Sequence, residues 1–437
     1  MRRRTSVVLF ISTFFLLATA AAWSQTFETL LQLTPGKANP VMGVIPDNAG
    51  NLYGVGYGGP VFEVTNAGGT WTEIDLHNFL PADYYNLDGN PTAQGLLIRD
   101  SQGNLYGDGN TGGRWNFGIA GTNGVIYQLS PNGVLTDLYE FTGGTDGGSP
   151  YGGLIADAQG NFYGTAAAGG NFGSQCPSEG GTNLGCGVVF ELVKGVHTWT
   201  YKVLYAFRAD GTDASYPVAP VTMDAQGNLY GTTLQGGYFG GTRGCQYFGC
   251  GTVFKLTKPQ QEGSPWTESI LYAFTYNTDG AGPWDGVVFG HDGNLYGTTN
   301  GGGDLSACGG GGCGVVYQLT PNGNTWTENV ILAFNGQNGA DPGGVQGGNQ
   351  LLIDQGGNIW GTAYTGGANG YGTVYKLSAG TWSYTDIHDF TNGADDESPQ
   401  CTLTQDSAGN IYGTTAGNSY YGVPPGSVFR ITPAPAR

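Results

Sequence analysis

The chain has 437 residues, 82 of them glycine; only 11% are charged and 13% aromatic, and the formal net charge is −18 at neutral pH. So acidic a balance disfavours nucleic acid and anionic membrane surfaces as partners. Glycine alone would fit a low-complexity chain, but that aromatic content supplies far more core than a disordered chain carries.

The chain opens with Arg2, Arg3 and Arg4, then an apolar run from Val7 to Ala22 that ends in Ala20-Ala21-Ala22. A positive start, a short apolar core and small terminal residues predict a secretory signal peptide over 1–22. The run is short for a membrane span, nothing later is long and apolar enough, and no Cys follows to carry a lipid. A single mature domain over 23–437 is expected, secreted into periplasm or medium, with no membrane anchor.

From there one motif organises the sequence: Gly-Asn, an apolar residue, an aromatic, then Gly. Its seven copies are 50–54, 103–107, 160–164, 227–231, 293–297, 357–361 and 409–413. Such a period marks a supersecondary unit stacked on its neighbours. In the third copy the pattern reads as four short strands, with Asp157-Ala-Gln-Gly-Asn161 as the turn between the first two. Six copies keep that Asp (Asp47, Asp100, Asp157, Asp224, Asp354 and Asp406), and the fifth shifts its acid to Asp292. The fourth strand carries Trp and, eight residues on, Phe: Trp71/Phe79, Trp199/Phe207, Trp266/Phe274, Trp326/Phe334 and Trp382/Phe390. An even spacing predicts both rings on one face.

Seven such units predict an all-β fold, a seven-bladed β-propeller with four-stranded blades. The seventh copy runs out after Ser427–Thr432, while Phe27, Leu31 and Leu33 fall in the phase of a fourth strand. The N-terminal strand therefore completes the last blade and closes the ring. A parallel β-helix is the alternative, but its turns repeat at shorter periods.

Units such as Asp224-Ala-Gln-Gly-Asn-Leu-Tyr-Gly-Thr-Thr-Leu-Gln-Gly-Gly237, followed by Gly251-Thr-Val-Phe-Lys-Leu256, resemble the Gloeo-Verruco (GloVer) tandem repeat of secreted bacterial proteins. The resemblance implies secretion and a propeller-like fold and carries no catalytic residues. Many members end in a sorting anchor; none is read here, so release is expected.

Loops joining strands two to three, and four to the next blade, share one face and are longest in blades two to five. Binding residues concentrate on such loops. Cysteine pairs stand at one equivalent place in blades three to five: Cys176/Cys186, Cys245/Cys250 and Cys308/Cys313. Three local disulfides are expected, with zinc the alternative and Cys401 a buried free thiol. Tyr151, Tyr216 and Trp284 mark the starts of the first strands in the same blades, with Asp146, Asp213 and Asp279 in the loops before them. These six are the expected ligand-binding residues. Their acids belong to a partial ring that would suit calcium, although each Asp alone also serves to shape a turn.

The four histidines form no catalytic arrangement, and no catalytic, metal or cofactor residue is predicted. The reading is a monomeric extracellular module that binds a glycan or protein. Alternatives are a polysaccharide hydrolase or lyase and a structural cell-surface scaffold.

Overall fold

The motif builds the second strand of a four-stranded antiparallel blade. The computed structural model describes residues 25–34, 42–56, 59–79, 95–110, 123–237 (175, 177, 180, 181, 209, 211 and 212 excepted), 245–344, 349–417 and 426–433. The expected signal peptide lies outside them. Blade one runs Val44–Pro46, Leu52–Val55, Val61–Ala67 and Thr70–His77 in that order, each strand paired with the next. Five more blades repeat it, the sixth with its first strand in two pieces, Ala340–Pro342 and Leu352–Ile353, both paired with Ile359–Thr365. In the seventh, Thr404–Gln405, Ile411–Thr415 and Ser427–Thr432 are completed by Thr26–Gln32, antiparallel to Ser427–Thr432 from Thr26↔Thr432 to Gln32↔Ser427. Seven four-stranded blades closed by the N-terminal strand are the architecture expected.

Each motif residue has a physical task. Asp157 Oδ1 accepts the backbone N–H of Gln159 and Asn161, while Oδ2 accepts Asn161 Nδ2 and the Tyr163 hydroxyl. Burial raises the pKa of that carboxyl, but the bonds from Asn161, Tyr163 and Gln159 outweigh it and leave the group below its ordinary value. Gly160, at φ 82°, closes the turn in the region that favours glycine. The motif's last glycine is needed for a different reason. A Cβ on Gly164 would sit 2.6 Å from the Phe190 ring, and one on Gly297 would sit 2.4 Å from the Tyr317 hydroxyl. The aromatic of strand three lies across the bare backbone of strand two.

The core is divided into seven seams, one between each pair of neighbouring blades. Here the strand-four expectation needs correction. Opposite Phe190 the register skips Leu204, so that Val189 pairs with Tyr205 and Phe190 with Val203. The same bulge recurs at one place in every blade. One extra residue flips the alternation. Trp199 consequently packs backwards, on Phe162 of its own blade and Tyr106 of blade two, and Phe207 forwards on Phe254 of blade four.

First strands meet directly near the axis. A Cβ on Gly95 would sit 2.1 Å from the Gly153 Cα of the next blade. Thr165 Oγ1 donates to Ala219 O, Thr232 Oγ1 to Asp285 O and Thr404 Oγ1 to Val44 O, each crossing a seam.

Candidate functional site

The long loops are built on a repeated backbone clasp. Ser149, Tyr216, Gly282, Asp341 and Ser398 each precede a proline with φ between 52° and 62°. Each donates its N–H to the preceding blade, to Asn123, Cys186, Cys250, Cys313 and Tyr371 O respectively, at 2.7–3.2 Å. In three of these clasps the acceptor is the second cysteine of a disulfide. The bridges are Cys176–Cys186, Cys245–Cys250 and Cys308–Cys313, as expected. Each fastens a loop to the segment that starts the next blade. Cys401 is free and buried; burial pushes its thiol up to about 11, against the Thr414 N–H that donates to it.

The clasp shows that the three aromatics do not occupy one position. Tyr151 and Trp284 follow their prolines, whereas Tyr216 precedes Pro217; the residue equivalent to the other two is Val218. All three rings are half-exposed, although Pro150, Pro217 and Pro283 beside them are buried. They share a sector without forming a ring of equivalent residues.

Asp146, Asp213 and Asp279 are placed differently from the aromatics, because each turns into its own loop. Asp279 Oδ2 accepts the Tyr272 hydroxyl at 3.1 Å and the Thr275 N–H at 2.8 Å, and Oδ1 accepts Thr275 Oγ1 and the Asn277 N–H. Asp146 accepts the Tyr139 hydroxyl and both the N–H and the hydroxyl of Thr142. Asp213 accepts the Tyr205 hydroxyl, the Ala214 N–H and two donors of Arg208. In blade six His388 takes the tyrosine's place, its Nε2 lying 2.9 Å from Asp395. These aspartates pin the end of strand four to the crossover, the turn-shaping role such residues favour.

Strand four of the following blade closes over each pin. Tyr201 stacks on Tyr139 at 3.9 Å between ring centroids, and Tyr384 donates its hydroxyl to Asn338 O. Blades four and five put acids in that slot. Burial, then the nearby Asp213, pushes Glu268 up to about 8, and burial, then Asp279, pushes Glu328 up to about 7.

Two exposed rings were not foreseen. Phe172 is 50% exposed just before the Cys176–Cys186 bridge, and Phe248 is 40% exposed inside the Cys245–Cys250 bridge. A large apolar side chain within a glycine-rich, cross-linked loop was the available sequence signal.

The Gloeobacter/Verrucomicrobia repeat matches residues 236–437. Blades five to seven carry that repeat. The same motif continues through the first four blades. No curated protein matches the chain. Among solved structures, virginiamycin B lyase from Staphylococcus aureus is similar at 14% identity and TM-score 0.55, over 93% of this chain and 99% of that one. The extracellular domain assigned to a hybrid two-component system of B. thetaiotaomicron is similar at 14% identity and TM-score 0.52, over 94% of this chain and 41% of that one. At such identities the likeness is one of fold.

Among the described residues no helix is long and apolar enough to cross a membrane, and no group of three or more His, Cys, Asp and Glu side chains is placed to hold a metal. The disulfides fit a non-cytoplasmic protein. A separate cleft of about 390 Å³ between blades one and two is lined by Tyr53, Glu63 and Arg99. There the Arg99 guanidinium lies 5.0 Å over the Tyr53 ring and 3.7 Å from Asp47, so its charge is already engaged.

Proposed function

We propose that the protein is a secreted binding module that holds a glycan or similar extracellular polymer on the loop face of blades three to five. The carrying observation is the pair of exposed rings, Phe172 and Phe248, on loops tied by disulfides. Rings kept in water on braced loops, in the same sector of blades as the half-exposed Tyr151, Tyr216 and Trp284, offer flat apolar faces of the kind that stack on sugar rings. Asp146, Asp213 and Asp279 serve this surface by holding its loops in shape. A glycan-array screen of the mature protein, with calcium and with chelator, tests the reading. Saturable binding that weakens in Phe248→Ala supports it; an array blank in both conditions removes its glycan half.

A polysaccharide hydrolase or lyase is a second reading, favoured by Glu268. Its carboxyl, raised to about 8, would carry a proton at neutral pH beside Asp213, as a general acid must. Release of new sugar ends from polysaccharide, lost in Glu268→Gln, would support this reading over simple binding.

A further inference from the structure

We propose that a divalent cation of the calcium type binds near the axis, where blades five, six and seven meet around Gly343 and Gly344. Four side chains converge on these two residues. A Cβ on Gly343 would sit 1.5 Å from Asp285 Oδ2, and one on Gly344 would sit 2.4 Å from the Gln400 Cβ. Asn349 Nδ2 donates to Gly343 O, and Asn300 Nδ2 donates to Gly344 O at 2.5 Å.

Those two bonds fix which end of each amide is left over. The partner is a carbonyl in both cases, so nitrogen must face it and oxygen must face away. Asn349 Oδ1, Asn300 Oδ1, Gln400 Oε1 and Asp285 Oδ1 all have no hydrogen-bond partner among the described residues. Asp285, Asn349 and Gln400 are only 2%, 1% and 4% exposed. A buried acceptor without a donor is costly, and four around one dipeptide need a common explanation.

A guest that satisfies them must therefore supply positive charge or donors. Water satisfies one or two acceptors at a time, whereas a single hard cation satisfies several oxygens together. One carboxylate oxygen and three side-chain amide oxygens are hard donors of the kind calcium takes, with water completing its shell, and magnesium dehydrates too reluctantly for them. Asp285 Oδ2 accepts the Thr298 hydroxyl at 2.6 Å, which leaves Oδ1 as the carboxylate oxygen open to a cation. The site is independent of the exposed aromatic surface and stands whether or not a glycan binds there.

Calcium titrated by calorimetry into chelator-treated mature protein is the test, with terbium luminescence as a second readout, since Trp284 adjoins Asp285. Expected are one saturable site, a higher melting temperature with calcium than with magnesium, and at least tenfold weaker binding in Asp285→Asn and Asn300→Leu. Each variant is first shown to melt cooperatively without metal; Asn300→Leu covers the case in which Asp285→Asn does not fold. No binding up to ~10 mM, above the weakest extracellular calcium modules, overturns the proposal. So does calcium affinity unchanged in the variants.

Discussion

Phe27 lies face to face on His388, with ring centroids 3.5 Å apart and planes within 2°. The two come from opposite ends of the chain. His388 holds Asp395 through Nε2, so the N-terminal strand closes over the last strand-four pin as Tyr201 closes over the pin of Tyr139. Gln32 Nε2 adds a bond to Ala394 O across the same seam.

Ring closure should therefore govern stability. Deleting Gln25–Thr34 leaves Ser427–Thr432 without its outer neighbour and should cost several kcal/mol, roughly the loss expected for abolished core contacts. Phe27→Ala, at a half-buried ring, should cost about 2 kcal/mol. Denaturant melts check both; a deletion that melts like the intact chain would refute closure.

Acids at two places give opposite pH dependences. The turn aspartates Asp100, Asp157, Asp224, Asp292, Asp354 and Asp406 lie below their ordinary value, so their contribution is present at neutral pH and is lost as pH falls through the folded pKa. Glu268 behaves in reverse. With its folded pKa raised to about 8, its contribution is complete below the unfolded value of about 4.5 and is lost as pH rises towards 8. The melting temperature of Glu268→Gln relative to the parent should accordingly climb between pH 5 and pH 9. A flat difference would show that the carboxyl is not held neutral.

The bridges should act locally. Cys245–Cys250 and Cys308–Cys313 each span a sequence separation of 5, so each is worth about 2 kcal/mol by loop entropy. Unreduced peptide mapping should return the three pairs, and alkylation should reach Cys401 only after unfolding. A bonded Cys401, or bridges between blades, would contradict the loop geometry.

The fold was legible because glycine and aromatic spacing report sterics directly: Gly164 must be bare where Phe190 crosses it. The facing of Trp199 and Phe207 was not, because the extra residue Leu204 leaves no mark in composition or spacing. Tyr216 was misaligned for a related reason. Its proline, not its ring, holds the repeat's register, and the clasp from its N–H to Cys186 O exists only in three dimensions. The exposures of Phe172 and Phe248 likewise depend on how the bridged loops fold back.

Separate substitutions divide surface from core. Trp284→Ala and Phe248→Ala should each weaken ligand binding by about 2 kcal/mol, the usual scale for an aromatic anchor, with little change in melting temperature. Trp326→Ala should instead lower stability by roughly 3 kcal/mol, because that ring packs in the seam against Tyr230. Equal binding losses in all three would mean that unfolding, not contact, is being read.

The most direct test of the binding surface is hydrogen exchange with and without a ligand taken from the glycan array. Slowed exchange is expected in 170–186, 213–217, 245–250 and 281–285, the two bridged loops that carry Phe172 and Phe248 and the segments clasped to them. Slowed exchange confined to the opposite turns, such as 47–51 and 100–104, or to the cleft around Arg99, would contradict the assignment.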